Sequence, residues 1–267
     1  VHHTRRHSSS SASSMTADVT ITTSATTHEI DVDAHNTALP VVKVLGTGGT
    51  IAAKADSTLQ TSGYDVDLTI EDLINSVPGL SQVAHLKYQQ IVNVDSKELN
   101  ATHLLLLHRE IRRCYEEEGI TRFVITHGTD SLEETAFFLE LSIAYPDIII
   151  VLTGSMRPSS AISADGTFNL YQAVSVAANP ESAGRGVLVV LNDSIGSGFY
   201  ITKTNANTLD TFKSIGQGYL GSFVYGAVCF YYPPSKPSSL YIEVDSTKLT
   251  ETLQFSTDPV SSRRRHE

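Results

Sequence analysis

Cysteine occurs only twice, as Cys114 and Cys229, too rarely and too far apart for a disulfide framework or a zinc site built on paired cysteines. The first falls in a helical pattern and the second in a strand-like one, so both read as unreactive core residues. Basic residues are also scarce, 19 Lys and Arg against 29 Asp and Glu, for a formal charge of -10. Their only run, residues 263–265, lies near the end of the chain. A phosphate-binding surface needs clustered cations, so no nucleic-acid partner is expected. No apolar stretch approaches the roughly 20 residues of a membrane-spanning helix. None near the amino terminus resembles the apolar core of a signal peptide. No membrane partner is expected, and the compartment stays open between secreted and cytoplasmic.

What is present is the composition of a soluble globular protein, 40% hydrophobic and 18% charged, in 267 residues that suffice for one large α/β domain or two ordinary ones. Residues 1–39 are of another kind, rich in His, Arg and Ser and then in Thr, Ser, Ala and Asp, and read as a disordered leader. From Val41 a short apolar run, Val41-Val42-Lys43-Val44-Leu45, enters Gly46-Thr47-Gly48-Gly49-Thr50. Glycine content alone favours a tight turn there over a ligand loop. The run is neither a Walker loop, lacking Gly-Lys-Ser/Thr, nor a dinucleotide Gly-x-Gly-x-x-Gly. Residues 53–63 are small and polar and end at Tyr64, as a surface loop or a flap would.

Residues 69–80 read as a helix opened by Thr69 with Glu71 and Asp72 in its first turn and stopped near Pro78-Gly79. A weak strand over 90–94 leads to Asp95-Ser96-Lys97-Glu98. Leu104, Leu107, Ile111 and Cys114 then recur at helical spacing, predicting an amphipathic helix over 100–118 that Gly119 ends. Residues 122–134 carry a buried-strand run into His127-Gly128-Thr129-Asp130, where Ser131 and Glu134 fit a capping box. A helix follows to about Tyr145, then a strand over 147–152, a helix over 165–178 and a strand over 186–191. Alternation of this kind predicts a doubly wound α/β fold, a mostly parallel sheet with helices on both faces. In such sheets ligands bind at the carboxyl ends of the strands. Past Asn192 the pattern weakens: residues 219–232 are apolar enough for one or two strands, and 233–239 reads as a linker.

The loop Leu45-Gly46-Thr47-Gly48-Gly49-Thr50-Ile51-Ala52 together with Thr126-His127-Gly128-Thr129-Asp130-Ser131-Leu132-Glu133-Glu134 resembles the two signatures of the bacterial-type (type II-like) L-asparaginases. The likeness continues in the same order through Asp95-Ser96, Gly154-Ser155-Met156-Arg157-Pro158, Ser163-Ala164-Asp165-Gly166, Phe168-Asn169-Leu170-Tyr171 and Thr202-Lys203-Thr204-Asn205. It implies hydrolysis of L-asparagine to L-aspartate and ammonia through a threonine acyl-enzyme, with no metal or organic cofactor. Thr50 matches the nucleophile. Tyr64, Thr129, Asp130 and Lys203 match its helpers, Lys203 relaying a proton from Thr129 and Asp130 also pairing with the substrate ammonium. Ser96 matches the residue that holds the α-carboxylate, backbone N–H groups around Thr50, Thr129 and Ser155 would face the oxyanion, and Gly49, Gly128, Asp130 and Ser155 join Ser96 in binding substrate. L-glutamine is a second substrate on this reading.

The resemblance makes residues 40–232 the family's amino-terminal catalytic domain and 233–267 a linker and truncated, disordered tail. The family's second, smaller α/β domain and its homotetramer would then be incomplete, and a homologue without activity is the alternative. Lys97 departs from the family's usual glutamine, and Gly198-Phe199-Tyr200 lacks the Arg-Asp pair often found before the lysine.

Overall fold

The computed structural model describes residues 39–55, 57–59, 65–237 and 241–244. The leader and most of the tail expected from the sequence lie outside them, as does Tyr64. Among the described residues, twelve strands and five α-helices follow in chain order: β1 Val41–Gly48, β2 Ala53–Lys54, β3 Asp65–Val66, α1 Ile70–Asn75, α2 Leu80–Val83, β4 His85–Val94, α3 Ala101–Glu118, β5 Arg122–Thr126, α4 Leu132–Ser142, β6 Ile149–Thr153, α5 Gly166–Ala178, β7 Val187–Leu191, β8 Ser194–Ser197, β9 Ile201–Lys203, β10 Phe212–Ser214, β11 Gly221–Val224 and β12 Ala227–Phe230.

Eight strands form one sheet in the order β12-β11-β8-β7-β6-β5-β1-β4. Its five members β4, β1, β5, β6 and β7 are parallel, and β8, β11 and β12 extend it antiparallel. Successive side chains of a strand point to opposite faces, and these runs are apolar on both. Val42, Val44, Val124, Val151 and Leu188 face Ile70, Leu73, Leu80, Leu170 and Val174 of α1, α2 and α5. Leu45, Phe123, Ile125, Ile150 and Val189 face Leu107, Ile111, Leu132 and Leu139 of α3 and α4. Two buried faces explain why the strands read as continuous apolar runs rather than alternating ones.

The order of strands decides where a site can form. From β1 the chain moves outward through α1 and α2 to the edge strand β4, then returns through α3 to β5 on the other side of β1. The crossovers diverge at β1, and the carboxyl ends of β1 and β5 border the crevice that this reversal opens.

Several local expectations need correction. The helix expected over 69–80 breaks after Asn75, because Pro78 lacks an N–H and restricts Val77, and Gly79 then turns with φ +84 into α2. Thr69 and Asp72 do form a capping box on α1. The weak strand at 90–94 begins at His85, since it pairs in register with β1 from Val41 onward. Helix α4 stops at Ser142, and β6 starts at Ile149. Asn192 and Asp193, at φ 49 and 63, make a turn of the kind that reverses hairpins, so β8 runs back antiparallel to β7 where only a strand end was expected. Cys114 is buried as expected, but Cys229 is exposed on the β11–β12 hairpin at the sheet's edge.

Candidate active site

The end of β1 is shaped by two glycines in the positive-φ region, Gly48 at +96 and Gly49 at +82, followed by a single 3-10 turn, Thr50–Ala52. Only glycine adopts these angles at little cost. Space is equally limiting: a Cβ on Gly48 would stand 2.5 Å from the backbone N and O of Val94, and one on Gly49 2.2 Å from Gly128 Cα. Gly49 N–H donates to Val94 O at 2.9 Å, and the Thr47 hydroxyl donates to Thr126 O at 2.9 Å in the interior. The ends of β4, β1 and β5 are thus pressed together backbone to backbone. Thr50, 9% exposed, lies one residue from this contact, and Thr129 one residue from it on the other side.

Below the second loop, His127 is fully buried, with Nδ1 2.7 Å from Gly128 O and Nε2 2.8 Å from Thr135 Oγ1. A carbonyl only accepts, so Nδ1 carries the hydrogen and Nε2 accepts from the Thr135 hydroxyl. Burial pushes the imidazole down to about 4, which keeps it neutral near pH 7. Its task here is to hold the Gly128 carbonyl. Ser96, also buried, accepts from Asp130 N–H through Oγ at 3.1 Å, and its carbonyl accepts from the Ser131 hydroxyl at 2.6 Å. The Ser131 hydroxyl is therefore spent on Ser96, and the capping box expected with Glu134 does not form.

Lys203 ends β9, a strand of a separate hairpin with β10. Its Nζ donates to Thr129 Oγ1 at 2.9 Å and to Asp130 Oδ1 at 2.6 Å. The lysine side chain is 16% exposed and the aspartate 60%, so the pair stands at the mouth of the crevice with the lysine inward. On its other side the strand is held by Glu133, which accepts from Lys203 N–H and from the Thr202 hydroxyl, the latter at 2.9 Å.

The third wall is the loop after β6. Gly154 lies against the His127 carbonyl, where a Cβ would be 2.5 Å from the oxygen and 3.4 Å from Thr129 Cγ2. Ser155 is buried, and its hydroxyl donates to Arg157 O at 2.8 Å. Asp165 fastens this loop by accepting from Met156 and Arg157 N–H, both at 3.0 Å, and Asn169 Nδ2 donates to Gly154 O at 2.9 Å. Lys97, beside Ser96, is exposed and pairs with Asp95 at 3.0 Å.

Gly49, Thr50, Ser96, Gly128, Thr129, Asp130, Ser155 and Lys203 are therefore brought to one edge of the sheet. The sequence placed Glu133, Thr135, Asp165 and Asn169 in segments that resemble the family's but gave them no role. Asp165 and Asn169 carried the clearer signal, two polar residues one helical turn apart at the start of α5. Among the described residues, no group of three or more His, Cys, Asp or Glu side chains is arranged to hold a metal ion, and no helix is long and apolar enough to cross a membrane.

A family model described as asparaginase, N-terminal, matches residues 41–236. The chain belongs to the asparaginase family. Among curated proteins it is 52% identical over 220 residues to L-asparaginase 2-3 of Saccharomyces cerevisiae, covering 82% of this chain and 60% of that one. It is 43% identical over 215 residues to L-asparaginase 2 of Escherichia coli, covering 80% and 61%. Among solved structures, the probable cytoplasmic L-asparaginase from Campylobacter jejuni matches with a TM-score of 0.70 at 44% identity, over 73% of this chain and 59% of that one. The chain spans about three fifths of the length of these relatives. Membership agrees with the mostly parallel sheet and with the glycine-bracketed threonine loop that ends β1.

Proposed function

We propose that the crevice between β1 and β5 hydrolyses the side-chain amide of L-asparagine, giving L-aspartate and ammonia. The observation that carries this reading is the apposition of Gly49 and Gly128, which brings Thr50 and Thr129 to one crevice while Lys203 Nζ stands 2.9 Å from Thr129 Oγ1. Amide hydrolysis requires a nucleophile, a route for its proton, donors for the oxyanion and a clamp for the amino acid.

Thr50 Oγ1 attacks the amide carbon, and backbone N–H groups around Thr50, Thr129 and Ser155 receive the charge on the carbonyl oxygen. The hydroxyl proton passes to the leaving nitrogen, with Thr129, Lys203 and Asp130 as the relay and Tyr64 as a helper. The C–N bond breaks, ammonia leaves, and an aspartyl ester of Thr50 remains. Water adds to that ester and restores the threonine. Substrate is held at both charges: Asp130 Oδ1 is engaged by Lys203, so Oδ2 faces the α-ammonium, and the Ser96 hydroxyl, which accepts from Asp130 N–H, has its own hydrogen to give to the α-carboxylate. L-Glutamine differs by one methylene, a discrimination of about 1–3 kcal/mol in a hydrophobic pocket, and is the second substrate of this reading. Residues 40–232 are the catalytic domain on this reading, with the linker beginning at 233.

Ammonia release from L-asparagine, followed for the chain and for its Thr50→Ala variant, tests the reading. Thr50-dependent ammonia is the expected result. Release that is absent, or unchanged in the variant, overturns it.

A further inference from the structure

The strand that delivers Lys203 is not part of the main sheet. Among the described residues it pairs only with β10, at Lys203↔Phe212, Thr202↔Lys213 and Ile201↔Ser214, and no strand ladder there ties it to β5. Among the described hydrogen bonds, those joining it to the Thr129 loop and the start of α4 are the two made by Lys203 Nζ and the two made by the Glu133 carboxylate. Ile201 adds apolar packing on the same face. Glu133 is in the first turn of α4, three residues after Asp130, and it uses both oxygens on neutral donors, the Lys203 N–H and the Thr202 hydroxyl. A carboxylate bonded in this way fixes the Lys203 backbone relative to Thr129 without competing for the ammonium.

We propose that Glu133 is a positioning residue for Lys203, setting the reach of its ammonium to Thr129 and Asp130. The inference rests on the reading of Lys203 as part of the proton route. Both oxygens are needed because a strand held at one point can still pivot, and a displacement of about 1 Å in a reacting group costs on the order of 100-fold in rate. In Glu133→Gln the NH2 cannot accept from the Lys203 N–H and can stay on Thr202 only if that hydroxyl turns from donor to acceptor, and both bonds lose the charge of the carboxylate that made them strong.

The test compares Glu133→Gln, Glu133→Asp, Lys203→Met and Glu133→Gln/Lys203→Met in ammonia release from L-asparagine. Beside it, NMR of side-chain-labelled lysine is recorded, with the Lys203 signal assigned by its loss in Lys203→Met. Glu133→Gln is expected to lower kcat about tenfold or more while KM moves less than about threefold, a split typical of a lost transition-state alignment. Glu133→Asp, which keeps two acceptor oxygens on a shorter stem, should recover part of the loss. The double variant should fall no further than Lys203→Met alone, because Glu133 acts through that lysine. The Lys203 signal should move toward those of exposed lysines in Glu133→Gln. Wild-type kcat in Glu133→Gln, additive losses in the double variant, or an unmoved Lys203 signal each overturn the inference. Should the unaltered chain release no ammonia, the hydrolysis reading falls and the NMR comparison alone decides the positioning role.

Discussion

Gly128→Ala probes the contact on which the crevice depends. The new Cβ would stand 2.6 Å from both Cβ and Oγ of Ser96 and 3.0 Å from Gly49 Cα. Ordinary carbon contacts lie at about 3.5–4.0 Å, so two overlaps of about 1 Å must be relieved. Ser96 cannot turn aside cheaply, being 2% exposed, with its hydroxyl bonded to Asp130 N–H and its carbonyl to the Ser131 hydroxyl. Overpacking at a site of this kind costs about 1–3 kcal/mol. Gly128 is not among the positive-φ glycines, so alanine also gains about 0.4–1 kcal/mol from a less flexible unfolded chain. A net loss of about 1–2 kcal/mol corresponds to a melting temperature lower by about 2–8 °C for a domain of this size.

Calorimetry of Gly128→Ala, Ser96→Gly and the double variant separates this clash from a general loss of stability. Ser96→Gly removes both atoms at 2.6 Å and leaves Gly49 Cα as the next neighbour at 3.0 Å. The double variant should therefore melt above the sum of the single losses, with a favourable coupling of about 1 kcal/mol. A Gly128→Ala protein that melts like the unaltered chain would falsify the close apposition of the two loops. Strict additivity would refute Ser96 as the residue in the way.

Two further outcomes follow from buried groups. His127 is held at about 4 in the fold against about 6.5 in an unfolded chain, so its contribution is complete above about pH 6.5 and is lost as the pH falls through about 4; the linkage amounts to about 3 kcal/mol, read as a fall in melting temperature over that window that flattens in His127→Gln. Burial raises the Cys114 thiol to about 11 while Cys229 is exposed, so one equivalent of a thiol reagent should be consumed rapidly in the folded chain and a Cys229→Ser variant should consume none at that rate.

The parts legible in the sequence were those whose signal is local. Apolar β-branched runs at Val41, Phe123, Ile149 and Val187 mark strands buried on both faces, and the small and polar residues that end three of them mark the crevice. Long-range pairing hid the rest. The edge strand β4 carries Lys87, Gln89 and Gln90 and borrows its extent from β1. Residues Ser194-Ile195-Gly196-Ser197 have no strand-like alternation and become β8 because the Asn192-Asp193 turn returns them to β7. Ser131 and Glu133 looked like ordinary first-turn residues of a helix, yet their side chains reach Ser96 and β9, 35 and 69–70 residues away. Sequence spacing reports what a side chain does within its own helix and is silent about contacts of that range.

The arrival of Lys203 shows how the remote segment is constrained. After β8 the chain turns near the amino end of β7, where Gly198 N–H donates to Val187 O. It then crosses β8 at Gly196, whose missing side chain makes room for Ile201: a Cβ there would be 2.4 Å from Ile201 Cδ1. Ile201 and Phe212 pack with Val187, Val189 and Leu191 on the face covered by α4. That packing lays β9 against the sheet, so a lysine two residues beyond Ile201 reaches the carboxyl edge where Thr129 waits. Apolar burial therefore sets the path of the strand over several residues, and the Glu133 carboxylate sets its last ångström. The first is distributed over many contacts and tolerates small changes. The second rests on two hydrogen bonds, which is why sensitivity to substitution should concentrate at Glu133 rather than along the hairpin.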